Sequence, residues 1–159
     1  MPIWSARILE ECFRALAMNR PELAADQLGR LRAALERAFP EASVAVPSRV
    51  DVALPDRCDV HVVETAVAAG APVILTYNLR DFPDEALGAL GVLARHPDVV
   101  IRELIDVHPG RVARLVTEQA AALRRPPVTV ARLLATLEIH GLRTSVERLR
   151  PMLDASPRE

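Results

Sequence analysis

Apolar positions recur three and four apart over the first forty residues, and this spacing predicts two helices. Ser5 stands as the N-cap of the first, with Trp4 before it facing Leu9 as a hydrophobic staple. Ile8, Leu9, Cys12, Phe13 and Leu16 form its apolar face, and Asn19-Arg20-Pro21 ends it. Leu28, Leu31, Leu35 and Phe39 give the second helix its stripe, which Pro40 stops. Val44-Ala45-Val46 is then expected as a short strand, and Pro47 to Pro55 as a loop.

Asp56 or Asp59 opens the next helix, which carries Val62, Val63, Ala66 and Val67 and closes at Gly70. Pro72 to Tyr77 is an apolar, β-branched run of the kind found in buried parallel strands. A loop over 78–83, a short helix from Glu85 to Leu90 and a strand at Gly91-Val92-Leu93 follow. This alternation predicts an α/β fold, a parallel sheet flanked by helices on both faces. Beyond it the pattern is helical. Val112, Leu115, Val116 and Leu123 share one face, Thr129 caps a further helix that Gly141 closes, and Thr144-Ser145-Val146-Glu147 reads as a capping box. The tail from Asp154 to Glu159 is expected to fray.

Half of the 159 residues are hydrophobic and the net charge is −1, which excludes disorder by composition and adhesion to nucleic acid by bulk charge. All 20 basic residues are Arg, a bias that suits bidentate phosphate contacts and that GC-rich coding also explains. Cys12 and Cys58 lack metal-site spacing and read as reduced thiols of a cytoplasmic protein. No run reaches the ~18 apolar residues that a membrane span needs, so no membrane partner is expected.

Ligands of parallel α/β sheets bind at the carboxyl ends of the strands. Thr76 ends the best-defined strand, which places Asn78 and Asp81 at that edge. The preceding helix runs antiparallel to the strand, so its N-terminal Asp56 and Asp59 lie at the same edge. Four oxygen-bearing side chains there suit a hard cation such as Mg²⁺ or Mn²⁺. Each Asp also has a plainer reading, as a helix cap: Asp56 or Asp59 for their own helix, Asp81 for the helix after Pro83.

Leu54-Pro55-Asp56-Arg57-Cys58-Asp59-Val60-His61-Val62-Val63, with the later Val73-Ile74-Leu75-Thr76-Tyr77-Asn78-Leu79-Arg80-Asp81-Phe82-Pro83, resembles a bacterial branch of PIN domains. That branch includes toxin nucleases of VapBC-type toxin–antitoxin pairs, and it carries an LPDxxDxHV and a VTxNxxDFP segment. Trp4-Ser5-Ala6-Arg7-Ile8-Leu9-Glu10-Glu11 resembles the family's WSxxILxE helix. The resemblance implies a three-layer fold whose acidic ring holds Mg²⁺ or Mn²⁺. It places metal ligands at Glu11, Asp59 and Asp81, with Glu10 ranked below Glu11 and Asp56 behind the ring. Many relatives have an acid where this chain has Asn78, which is assigned a catalytic role beside Asp59 and Asp81.

Relatives also begin with a short strand ending in Asp, and this chain is expected to lack that first strand. Residues 1–106 are expected to form the PIN-like domain and 107–159 a helical C-terminal extension packed on it. The implied activity is metal-dependent endoribonuclease action by a toxin, with RNA as substrate, an antitoxin as partner, and a homodimer among the expected assemblies. The alternative is an inactive PIN-like module that binds RNA or an antitoxin-like protein.

Other features weigh less. His61 is expected to serve structure, and His96, His108 and His140 read as surface or helix-end residues. Residues 137–143 resemble the turn of a helix-turn-helix, but Glu147 falls where that motif packs an apolar side chain. Arg124-Arg125 and Arg143, Arg148 and Arg150 read by default as solvated charge.

Overall fold

The structure, a computed structural model, describes residues 1–47, 49–124 and 126–154. It divides into two compact units, the first over Met1–Ala94 and the second from Arg95 onward. Among the described residues it is mixed α/β, with eight α-helices and a small parallel sheet.

In the first unit, α1 spans Ala6–Asn19 and α2 Ala25–Ala38. The Ser5 hydroxyl accepts from the amide of Ile8, as an N-cap should, at 3.4 Å. Trp4 packs with Leu9, Ala42 and the flanking Phe13 and Leu35. Its ring meets Phe39 edge-to-face with centroids 6.1 Å apart. The second helix is held less firmly: Leu35 joins that cluster, but no residue of α2 is buried.

The strand expected at Val44-Ala45-Val46 does not form. Pairing is limited to one parallel bridge between Trp4 and Ser43, framed by Trp4 N–H to Ala42 O and Val44 N–H to Trp4 O, each 2.9 Å. The reason lies in the partner segment: the chain turns into α1 directly after Trp4, so the ladder has no second rung on that side.

The main core of this unit is built from α3 (Val60–Ala68), β1 (Val73–Leu75), α4 (Asp84–Leu87) and β2 (Leu93–Arg95). Val63 and Ala66 of α3 pack with Leu54, Ile74, Phe82, Leu87 and Val92. Gly70 takes the left-handed conformation, φ 61°, that ends α3, and the Ala71 amide then bonds Ala66 O at 2.8 Å. That turn sends the chain back into β1, which puts the start of α3 and the end of β1 on one side of the unit.

Two details of the sheet differ from expectation. The first is that β1 is shorter than the apolar run: Ile74 is buried but Leu75 and Tyr77 are 58% and 57% exposed. Alternate side chains of a strand point to opposite faces, and Leu75 looks onto an open groove beside Pro2, Ile3 and Ile8. The second is that the next strand starts at Leu93 rather than Gly91. Gly91 is left-handed, φ 68°, and closes the 3-10 turn after α4, so pairing begins only past it, with Leu93 N–H to Pro72 O at 2.9 Å.

The second unit is helical: α5 (Pro97–Val107), α6 (Pro109–Ala122), α7 (Val130–Ile139) and α8 (Arg143–Asp154). Ile105, Val116, Leu133, Leu134, Val146 and Leu149 form its core. Thr129 caps α7 as expected, accepting from the Arg132 amide at 3.2 Å. The capping box expected at Thr144–Glu147 does not form, because α8 already begins at Arg143 and its first turn is capped from outside. The buried Asp98 carboxylate accepts from Thr144 N–H (3.0 Å), the Thr144 hydroxyl (2.7 Å) and Ser145 N–H (2.9 Å). Ser145 Oγ donates back to the Asp98 carbonyl at 3.0 Å. A carboxylate at a helix N-terminus also meets the positive end of the helix dipole. Of the Arg-rich positions, Arg125 lies outside the described residues. Arg148 pairs with Asp106 and Arg150 with Glu138.

Candidate metal centre

Three short segments of the first unit carry the acidic side chains. The first is α1. Glu11 is half-buried on it, one turn after Arg7, and Arg7 Nε donates to Glu11 Oε1 at 2.9 Å. The same guanidinium reaches the Cys58 carbonyl at 3.4 Å, so α1 is tied to the turn that precedes α3. His61 Nε2 lies 2.9 Å from the other Glu11 oxygen. Its ring is buried and its Nδ1 is 2.6 Å from the Cys58 carbonyl. A carbonyl only accepts, so Nδ1 carries the hydrogen. The approach of Nε2 to Glu11 lacks hydrogen-bond alignment, and it is attractive as a charge contact when the ring is protonated. Burial pushes the Glu11 carboxyl up, but the Arg7 hydrogen bond and the charges of His61 and Arg7 carry it below its ordinary value.

The second segment is the 3-10 turn Arg57–Asp59 and the start of α3. Asp56 caps the turn, accepting from the Cys58 amide at 2.7 Å. Asp59 makes no capping bond, although it stands in the N-cap position of α3. Its carboxyl is pushed above its ordinary value, by burial first and then by the charges of Asp56 and Asp81, with Glu11 adding less and His61 opposing. Asp59 is therefore a half-buried acid with three acids around it.

The third segment follows β1. Thr76 Oγ1 accepts from the Asn78 amide at 3.0 Å, and the Asn78 side-chain amide donates to Asp81 Oδ2. Asp81 lies in the 3-10 turn Leu79–Asp81, and α4 has Pro83 at its N-cap, so Asp81 caps nothing there.

The sequence-derived residues thus fall in one region, but they are not equally available. Among the described residues no three His, Cys, Asp or Glu side chains are gathered closely enough to hold a metal ion. Glu11 is engaged by Arg7 and His61, and Asp81 by Asn78. In kind the donors fit a hard cation: they are all oxygens, and their mutual repulsion at Asp59 is what a divalent charge relieves. Arg7 was not singled out as functional from the sequence. Its signal was the spacing of four from Glu11 on a predicted helix.

A family model described as PIN domain matches residues 1–80, and one described as VapC50 C-terminal domain matches residues 97–151. A protein of Mycobacterium tuberculosis (strain ATCC 25618 / H37Rv) named "Putative ribonuclease VapC50" is 35% identical over 79 residues. The match covers 50% of this chain and 47% of that protein, so it spans about half the length of the curated relative. No solved structure gives a significant match. With the PIN-domain model matched over residues 1–80, half of its 159 residues, this chain belongs to the PIN-domain family.

Proposed function

We propose that the chain is a metal-dependent endoribonuclease of the PIN type and acts as the toxin of a toxin–antitoxin pair. The observation that carries this reading is Asp59: an uncapped, half-buried carboxylate whose affinity for a proton is raised by burial, Asp56 and Asp81. A structural cap would spend that carboxylate on backbone amides. Glu11, Asp59 and Asp81 would hold Mg²⁺ or Mn²⁺. When bound, the ion supplies activation of water and neutralisation of charge on the phosphate.

The chain's own groups do the rest. Asp59 and Asp81 present negative charge from two sides, the start of α3 and the loop after β1. Asn78, anchored by Thr76 and joined to Asp81, orients that carboxylate and offers a neutral amide to a water or a phosphate oxygen. Arg7 and His61 hold Glu11 on the α1 side. The chemistry is direct hydrolysis of an RNA phosphodiester, without a covalent enzyme intermediate.

The partners in this reading are an RNA substrate and an antitoxin protein, with a homodimer as an assembly and the cytoplasm as location. No helix among the described residues is long and apolar enough to cross a membrane. One observation favours the second reading, an inactive module that binds RNA or an antitoxin: Glu11 and Asp81 are already engaged by other side chains. Incubating purified protein and mixed cellular RNA with Mn²⁺, Mg²⁺ or chelator separates the two. Metal-dependent fragments support the nuclease. Intact RNA in the presence of either ion favours the binding module.

A further inference from the structure

Beside the acidic group the first unit holds a polar cleft of about 480 Å³, within the size range of small-ligand sites. Its walls include Arg7, Arg49, Arg57, His61 and Glu64. Two of these side chains belong to the site already described. Arg7 binds Glu11, and the His61 ring, fixed by the Cys58 carbonyl, stands against Glu11. The cleft therefore shares a wall with the acidic residues.

Arg49 and Arg57 differ from four of the five arginines on α1 and α2. Arg7, Arg14, Arg30 and Arg32 each pair with a carboxylate four residues away. Among the described residues Arg49 and Arg57 have no such partner, although both are exposed beside acidic residues. Arg57 sits in the turn between Asp56 and Asp59, and Arg49 at the start of a loop that Glu64 pins by accepting from the Val50 amide at 3.4 Å. Arg7, Arg49 and Arg57 thus line one cleft together with Glu64 and Asp51. With Arg7 already paired with Glu11, Arg49 and Arg57 are the guanidinium groups of this cleft left to take a phosphate. The planar fork of arginine matches the geometry of phosphate oxygens.

We propose that this cleft is a subsite for a backbone phosphodiester of the RNA strand, contacted by Arg49 and Arg57 next to the acidic group. The proposal rests on the ribonuclease reading for the identity of the strand, but binding does not need cleavage. Phosphate contacts fix the position of a strand without reading its bases, so the subsite sets where the strand lies relative to Asp59 rather than which sequence is chosen.

The test is the salt dependence of binding of a single-stranded oligoribonucleotide to the full chain in EDTA, where metal-dependent cleavage is silent. Each phosphate contact to a single strand contributes about 0.7 to the slope of log K against log salt. The double variant Arg49→Ala/Arg57→Ala is expected to lower the slope by about 1.4. It is also expected to weaken binding at least about tenfold, since hydrogen bonds to charged groups are each worth about that much. Arg37→Ala, an exposed arginine on α2, serves as the charge control and is expected to leave the slope unchanged. Arg49→Lys/Arg57→Lys keeps the charge and is expected to restore the slope. A double alanine variant with the slope and affinity of Arg37→Ala overturns the proposal, whatever the chain does with a metal. A chain that binds with the predicted slopes but never cuts RNA retains the subsite and loses the nuclease reading.

Discussion

His61 Nε2 lies 2.9 Å from Glu11 Oε2, while its Nδ1 is committed to the Cys58 carbonyl. This places a buried imidazole from the LPDxxDxHV segment against the acid of the WSxxILxE helix, and with Arg7 it makes Glu11 a doubly held side chain. The reading of the sequence assigned His61 to structure, and the family resemblance assigned Glu11 to metal binding. The contact joins the two assignments.

The hold on Glu11 has a sign. Its carboxyl is carried below its ordinary value, chiefly by the Arg7 hydrogen bond working against burial. Whatever stability this contact contributes is present above the ordinary glutamate range and is lost as pH falls through the depressed value. Both partners are well exposed, so the stability effect is small. Removing the guanidinium in Arg7→Ala is expected to move the Glu11 titration upward, followed by NMR at the side-chain carboxyl carbon. An unchanged titration in that variant would show that Arg7 does not hold Glu11.

Asp59 has the opposite sign. Its raised carboxyl means that the folded chain holds this proton more firmly than the unfolded chain does, so stability is lost as pH rises from the ordinary aspartate value through the raised one. Asp59→Asn is therefore expected to melt higher than the parent at neutral pH in the absence of divalent ions, by on the order of a few degrees. The gain should shrink as pH falls and Asp59 becomes protonated in the parent. A lower melting temperature at pH 7 would instead identify Asp59 as a stabilising cap.

Asp98 is an acid with a purely structural place. Burial pushes its carboxyl up, but hydrogen bonds from Ser145 and Thr144 outweigh burial and bring it down to about 2 from 3.8. The linked stability, about 2 kcal/mol, is fully present above pH ~4 and is lost as pH falls toward 2. Asp98→Ala leaves the first turn of α8 uncapped and is expected to cost about 2–4 kcal/mol, measured by denaturant unfolding at pH 7. It should also flatten the acid limb between pH 4 and 2.

Cys58 offers a reporter for the acidic group. Its exposed thiol is pushed up, first by its hydrogen bond to Asp56 and then by the charge of that carboxylate. Asp56→Asn is expected to speed alkylation of Cys58 near neutral pH by enlarging the thiolate fraction. Added Mn²⁺, which neutralises the same charges, should act in the same direction. A rate indifferent to both changes places Asp56 and any bound cation away from Cys58.

Much of this arrangement was legible from the chain. The Ser5 cap, the Gly70 stop and the apolar run around Ile74 placed α1, α3 and β1, and the rule of strand carboxyl ends then brought Asp59, Asn78 and Asp81 together. What escaped was set by partners distant in sequence. Val44-Ala45-Val46 has the composition of a strand, but a ladder needs a second extended segment, and its neighbour Trp4 leads straight into α1. Thr144 to Glu147 has the letters of a capping box, but Asp98, 46 positions earlier, takes the Thr144 amide and hydroxyl that the box would use. The engagement of Glu11 was hidden for the same reason. Its i−4 partner Arg7 was visible from spacing, whereas His61 approaches from another helix and only the folded chain shows it.

The measurement closest to the central claim is the rate of cleavage of one defined single-stranded RNA at fixed Mn²⁺, compared between the parent chain and Asp59→Asn. The substitution keeps the size of the side chain and removes its charge. If Asp59 is the centre of a metal site, the parent cuts and chelator stops it, while the variant folds at least as stably and loses about 100-fold or more in rate, beyond the effect of removing a group that only supports a ligand. A parent and a variant that cut at the same rate, or a parent that cuts equally well in chelator, would contradict the account.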